Sequence, residues 1–185
     1  PRVGMHRYTF PQARDAAIII DLENGGCWDR TTKVSMQAEG NTRIVGYRYS
    51  RGWAASQQVY FVAEFSKPFS HFSRHGKEDM YGRVHFTTEQ DEQILMKVAL
   101  SAVSIDGARM ALETELHGWD FESTRQVARQ TWENELGRIR IETPDEDTKH
   151  IFYTALYHTM MAPALFSDID GRYRGADGNI YHSDV

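Results

Sequence analysis

Through residues 1–100 the chain alternates apolar and polar side chains with a period of two, in runs broken by turn-forming residues. The clearest runs are DAAIIIDL at 15–22, NTRIVGYRYS at 41–50, QVYFVAEF at 58–65 and ILMKVAL at 94–100. A strand sends successive side chains to opposite faces, so each run predicts a strand with one apolar side. In the third run Phe61, Ala63 and Phe65 fall on one face, and Tyr60, Val62 and Glu64 on the other. NGG at 24–26, EGN at 39–41, RGW at 51–53 and HGK at 75–77 supply turn chemistry between the runs. Short strands at this spacing predict antiparallel sheets, most simply a β-sandwich.

Beyond residue 100 the period becomes that of helices. Ser104 predicts the N-cap of a short helix ending near Leu116, HGW at 117–119 breaks it, and Asp120 predicts the cap of a second. On that second helix Phe121, Ala128, Trp132, Leu136 and Ile139 form one apolar face, away from Glu122, Arg125, Arg129 and Glu133. Thr143, Pro144, Asp145 and Glu146 predict a capping box with proline at the first helical position, then a helix to about Ala162 stopped by Pro163. Phe152, Leu156 and Met160, flanked by Tyr153, Tyr157 and Met161, make this third helix apolar over much of its girth. That pattern predicts a buried helix with neighbours on several sides. Few residues follow it before Val185, so the chain reads as a piece of a larger protein. The expected class is α+β and multidomain: a β-sandwich over 1–100, a helical linker over 101–142 that bridges two domains, and the start of a helical domain over 143–185.

Composition narrows the function. A net charge of -5 and a pI near 5.9 provide no basic field for phosphates, which argues against nucleic acid and anionic membrane as partners. The single Cys27 rules out an internal disulfide framework, and there is no CxxC pair to suggest zinc or redox chemistry. No apolar run approaches the roughly 18 residues of a membrane helix, and PRVGMHRYTF at 1–10 lacks the apolar core of a signal peptide. The aromatic content of 12% suits stacking on sugar rings as well as core filling.

Five segments in order carry a family resemblance: HRYTFP at 6–11, VGYRYSRGWA at 45–54, VYFVAEFSKPF at 59–69, GWDFE at 118–122 and FYTALYHTMMAPALFSDIDGRYRG at 152–175. Together they resemble glycoside hydrolase family 92, the calcium-dependent exo-acting α-mannosidases. The resemblance implies an N-terminal β-sandwich, a helical linker and a C-terminal (α/α)6 toroid, with the active site between the domains. This chain then matches the later part of the sandwich, the linker and the opening helix of the toroid. The implied reaction removes terminal α-linked mannose from glycans with inversion, using a glutamic acid as general acid, an aspartate as general base and Ca2+ in the mannose subsite. An inverting pair flanks the glycosidic bond at roughly 6.5–9.5 Å, leaving room for the attacking water. On this matching the catalytic and calcium-binding residues all lie beyond Val185, so neither catalytic nor metal residues are expected in this chain. Family members are commonly exported, which inclines the localisation towards periplasmic or secreted.

The final loop carries Asp168, Asp170, Asp177 and Asp184. An EF-hand reading fails, because Arg172 stands at the fifth position and Asn179 at the twelfth. Two readings remain: local turns of Asp168 and Asp170 with Gly171 plus an arginine–carboxylate pair, or one wall of a sugar pocket in the whole enzyme. On the second reading Asp170, Arg172, Tyr173 and Arg174 are substrate-binding candidates, Tyr173 offering a ring face and Arg174 donors to hydroxyls. Trp53 joins them as a possible sugar platform, its alternative being packing at the sandwich edge. Trp119 and Trp132 read as packing residues. His71 and His75 have a four-residue spacing, but no HExxH glutamate accompanies them and their surroundings read as strand, so zinc is not expected. His158 reads as hydrogen-bonded within a core. The alternative to an enzyme segment is a stand-alone β-sandwich that works as a carbohydrate-binding or interaction module.

Overall fold

The computed structural model describes residues 1–25, 28–162 and 164–183. Eight strands build two antiparallel sheets: β1 (Val3–Phe10), β2 (Ala13–Asp21), β3 (Arg30–Glu39), β4 (Arg43–Arg51), β5 (Gln57–Phe65), β6 (His71–His75), β7 (Tyr81–Thr88) and β8 (Glu92–Ser101). One sheet has the order β1-β8-β5-β4-β3 and the other β2-β7-β6. Their apolar faces meet as in a sandwich, joining Ile18, Val84 and Phe86 of the smaller sheet to Met36, Ile44, Phe61, Phe65 and Ile94 of the larger. The four strands read from alternation are all present, each within two residues of the expected bounds. Phe61, Ala63 and Phe65 indeed share the inter-sheet core, while Val62 faces the other way.

A second, smaller core lies on the outer face of the larger sheet. There α1 (Ile105–Glu115) sets Ala108, Ala111 and Leu112 against Val45, Val62 and Ala99. The two alanines let the helix approach closely, and Ser104 caps it by accepting from the Gly107 amide. Within the inter-sheet core, Gly46 of β4 allows an equally close approach. A Cβ there would fall 2.1 Å from the Ser35 carbonyl oxygen and 2.9 Å from the Phe61 ring. Neither neighbour is a free side-chain end, so Gly46→Ala is expected to destabilise by about 1–3 kcal/mol through overpacking. A urea midpoint equal to the parent's would contradict this.

The chain divides into two compact units, one of Pro1–Trp119 with Ser167–Val185 and one of Asp120–Phe166. The second holds α2 (Phe121–Leu136), capped by Asp120 as expected, and α3 (Glu146–Thr159). Several expectations for α3 need correction. Asp145, not Thr143, is its N-cap; the Thr143 hydroxyl instead accepts from the Asp145 amide, leaving Pro144 outside the helix. The helix ends at Thr159 with Met160 as its C-cap, short of Pro163, which lies outside the described residues. No residue of α3 or α2 is buried: Ile151 is 70% exposed, and Trp132 rests on Tyr157 with ring centroids 4.6 Å apart. Ile139 lies past the end of α2 and so does not extend its apolar face; its carbonyl accepts from the Tyr153 hydroxyl. His158 is likewise exposed, beside Tyr157, rather than held in a core. Among the described residues no helix is long and apolar enough to cross a membrane.

Candidate functional site

Where β8 gives way to α1, the chain turns on a serine. The Ser101 hydroxyl accepts from the amides of Val103 and Ser104 and donates to Asp168 Oδ2 at 2.7 Å, using its one donor and both acceptor positions. Asp168 is buried against the start of α1, at the positive end of the helix dipole. Only glycine fits at position 107, where a Cβ would fall 2.0 Å from the Asp168 carboxylate. Burial pushes the Asp168 carboxyl up, opposed by the Ser101 hydrogen bond. Arg2 fixes the same corner, donating to the carbonyls of Ser167 and Asp168 and pairing with Glu115 at 2.6 Å.

From this anchor the chain forms a small hairpin, β9 (Arg172–Arg174) and β10 (Ile180–His182), with Tyr173 opposite Tyr181. Gly171, at φ +82°, makes the entry turn and donates its amide to the Asp168 carbonyl. Asp170 accepts from the Arg172 amide at 3.1 Å and from its Nε at 2.6 Å. Burial raises the Asp170 carboxyl, but the Arg172 donors outweigh it and the net direction is down. Arg174 turns inward, donating to the carbonyls of Ala102, Val103 and Gly178. Asp177 takes hydrogen bonds from Asn179 and from the Tyr181 hydroxyl. Asp184 lies outside the described residues.

Beside the hairpin lies a tyrosine face that the sequence reading did not single out. Tyr47 pairs with Tyr60, and Tyr60 with Ser101, so these side chains share one row across three strands. Tyr49 and Tyr60 share a 2.7 Å hydrogen bond, and Lys33 sits over the Tyr47 and Tyr49 rings. Burial and the Tyr60 hydroxyl push the Tyr49 phenol up to about 12, and the positive charge of Arg174 opposes them, which sets the hairpin within electrostatic reach of this face. The period-two run Tyr47, Tyr49 in YRYS was the signal available for it.

Trp53 belongs to a different segment, the β4–β5 connection. It is 87% exposed and meets Trp28 at 5.9 Å, a pair of open rings rather than a packed edge. Beneath them Arg48 pairs with Asp29 at 2.6 Å. The Arg48 hydrogen bonds, helped by Ser50, lower the Asp29 carboxyl to about 2. Its folded value thus lies below the ordinary value of roughly 3.9, so the stability it contributes is present above pH 4 and lost as pH falls towards 2. Thermal melts over that range are expected to show the parent losing stability faster than Asp29→Asn. Equal slopes would exclude the linkage.

The arrangement binds more readily than it reacts. Asp168 and Asp170 have carboxyls displaced in opposite directions, as an acid and base pair requires, yet Asp168 is only 3% exposed and closed in by Ser101 and Gly107. Asp170 and Arg172 remain partly open on the hairpin, whereas Arg174 holds the hairpin to the β8–α1 connection. Calcium does not fit here. The loop acids described are committed to Ser101, Arg172, Asn179 and Tyr181, and among the described residues no group of three or more His, Cys, Asp or Glu side chains can hold a metal ion. Trp119 packs under the Lys97 ammonium at 4.1 Å, and His71 and His75 lie on strand β6 rather than on a helix.

Comparison with known proteins adds the context. The sequence model of the glycosyl hydrolase family 92 N-terminal domain matches residues 1–101, and that of the family 92 catalytic domain matches residues 107–185. The fold is similar to the family GH92 α-mannosidase BT3965 from Bacteroides thetaiotaomicron, with a TM-score of 0.89 and 32% identity over 99% of this chain and 27% of that one. The same enzyme is also known in complex with mannoimidazole. The GH92 glycosyl hydrolase ccman5 matches at 26% identity and TM-score 0.84, over 99% of this chain and 26% of its own. At 24% identity, the inverting mannosidase BT2199 from Bacteroides thetaiotaomicron VPI-5482 shares the fold, with a TM-score of 0.83 over 98% of this chain and 26% of its own. The chain thus spans about a quarter of the length of these solved relatives. No curated protein gives a significant match.

Proposed function

The chain belongs to glycosyl hydrolase family 92, and from that premise we propose that it is the sandwich, linker and opening helical segment of an exo-acting α-mannosidase. The observation that carries this reading is the match of both family domains, in order, together with 32% identity to an α-mannosidase over nearly the whole chain. The whole enzyme removes terminal α-mannose from glycans by inversion and uses Ca2+. The acid, base and calcium ligands come from outside these residues. In support, the hairpin acids Asp168 and Asp170 are already committed to internal partners.

On this reading the chain shapes the pocket. Asp170 and Arg172 present a fixed pair of acceptor and donor groups to sugar hydroxyls, Tyr173 contributes a ring face, and Arg174 acts by positioning the hairpin. Pre-set geometry of this kind lowers the ordering cost of binding. The domain division at about 100 and 142 is part of the same proposal. The exposed Trp28–Trp53 pair favours one further role, a stacking platform for an outer sugar, which a stand-alone carbohydrate-binding sandwich would also use.

The test is the whole protein acting on an aryl α-mannoside, with the first sugar product read by proton NMR. Inversion predicts β-mannose before mutarotation, and chelation of calcium predicts loss of turnover. Release of α-mannose first, or full activity in chelator, would sink the mechanism.

A further inference from the structure

The match to the family's N-terminal domain ends at Ser101 and the match to its catalytic domain begins at Gly107, and the polar contacts of the Asp168 corner cross that boundary. Two residues at the margin of the sandwich hold the corner. Ser101 donates its hydroxyl proton to Asp168 Oδ2 at 2.7 Å. Arg2 donates Nε to the Ser167 carbonyl at 2.7 Å and Nη2 to the Asp168 carbonyl at 3.1 Å, while its Nη1 pairs with Glu115 of α1 at 2.6 Å. The backbone of Asp168 then reaches the hairpin directly. Its amide donates to the Arg172 carbonyl at 2.7 Å, and its carbonyl accepts from the Gly171 amide at 3.0 Å. Asp168 thus has its side chain on the sandwich and its peptide groups on the turn that carries Asp170 and Arg172.

These bonds leave the corner little freedom. A Cβ at Gly107 would fall 2.0 Å from Asp168 Oδ2 and 2.7 Å from Ser101 Oγ, so the carboxylate lies flush on the first turn of α1. No buried polar side-chain atom of Arg2, Ser101 or Asp168 lacks a partner, and a buried polar network paired in this way is rigid. We propose that Arg2 and Ser101 are positioning residues for the hairpin: through Asp168, the sandwich fixes where Asp170 and Arg172 stand in the pocket. The inference rests on the reading of the hairpin as a pocket wall. Neither residue touches sugar. Their contribution lies in orientation, where a misplacement of about 1 Å away from the chemistry can cost about a hundredfold. Arg174 ties the hairpin separately, to the Ala102 and Val103 carbonyls, so losing one pin shifts the hairpin without freeing it.

A double-mutant cycle in the whole protein, assayed on an aryl α-mannoside, tests the proposal, with circular dichroism verifying that each variant is folded. Ser101→Ala and Arg2→Met, which keeps an apolar stem but no donor, are each expected to lower kcat/KM about tenfold. Gly107→Ala is expected to do the same from the α1 side, because its methyl group pushes the Asp168 carboxylate away. Alanine suits a helix better than glycine, so a weakened α1 does not account for that loss. In the Arg172→Ala background each of the three is expected to cost less than about twofold, since they act through the hairpin. Asp168→Asn, which keeps an acceptor for Ser101, is expected to retain more activity than Asp168→Ala. Equal losses in both backgrounds would make the corner merely structural and overturn the proposal. Full kcat/KM in folded Ser101→Ala, Arg2→Met and Gly107→Ala, beside an impaired Arg172→Ala, would overturn it and leave the pocket wall standing. Full kcat/KM in Arg172→Ala would instead remove the wall, and the proposal with it.

Discussion

Phe86→Ala is expected to cost about 3–5 kcal/mol, the range found when a fully enclosed aromatic is cut back to a methyl group. Phe86 has no exposed surface and packs on Phe65, with ring centroids 5.6 Å apart. Phe65 in turn meets Phe69 edge-on, so the three rings bridge the two sheets at one point. The walls around Phe86 are β-ladders paired on both sides, β2 and β6 flanking β7, and such a frame collapses poorly into a cavity. Typical domain stability is only about 5–15 kcal/mol, so a loss of this size threatens the sandwich itself. Urea unfolding followed by tryptophan fluorescence measures it. A midpoint shift worth less than about 1 kcal/mol would mean that the sheets close over the gap.

The second large effect concerns the hairpin in the whole enzyme. Arg172→Ala is expected to lower kcat/KM on an aryl α-mannoside by about a hundredfold, equivalent to about 2.7 kcal/mol of transition-state stabilisation. The substitution removes both the donor proposed to meet the sugar and the Nε hydrogen bond that holds Asp170. Without that bond the Asp170 carboxyl is expected to move back up and to lose its fixed direction. Arg174→Ala is a useful contrast. Its guanidinium bonds the Ala102 and Val103 carbonyls, so its loss is expected to loosen the hairpin and lower thermal stability as well as activity. Should Arg172→Ala retain full kcat/KM, the hairpin is not a pocket wall.

Much of the fold was legible because its signals are local. Alternation in QVYFVAEF named both faces of β5, and Ser104 and Asp120 each begin a helix with the expected side-chain cap. The third cap was misplaced for a physical reason. Thr143 and Asp145 are both capping residue types, but the Thr143 hydroxyl captures the Asp145 amide, so Asp145 is the cap and the helix starts two residues later. The apolar girth of α3 predicted a buried helix, whereas no residue of it is buried by the described residues.

The site was less legible. β9 and β10 have three residues each, too short for any periodicity, and so they read as loop. The clamp from Arg2 to Ser167 and Asp168 joins residues at opposite ends of the sequence, and no local pattern foretells it. Asp168 drew attention as a possible cation ligand. Its role emerges only when Ser101 and Gly107 are seen to enclose it. In the sequence His71 and His75 suggested only a helical pair that the strand geometry rules out.

The most direct test of the central claim is hydrolysis of an aryl α-mannoside in calcium, measured side by side for this chain alone and for the whole protein. The account predicts turnover by the whole protein and none above buffer by residues 1–185. Turnover by the chain alone would contradict it, since the acid and base would then have to lie among these residues.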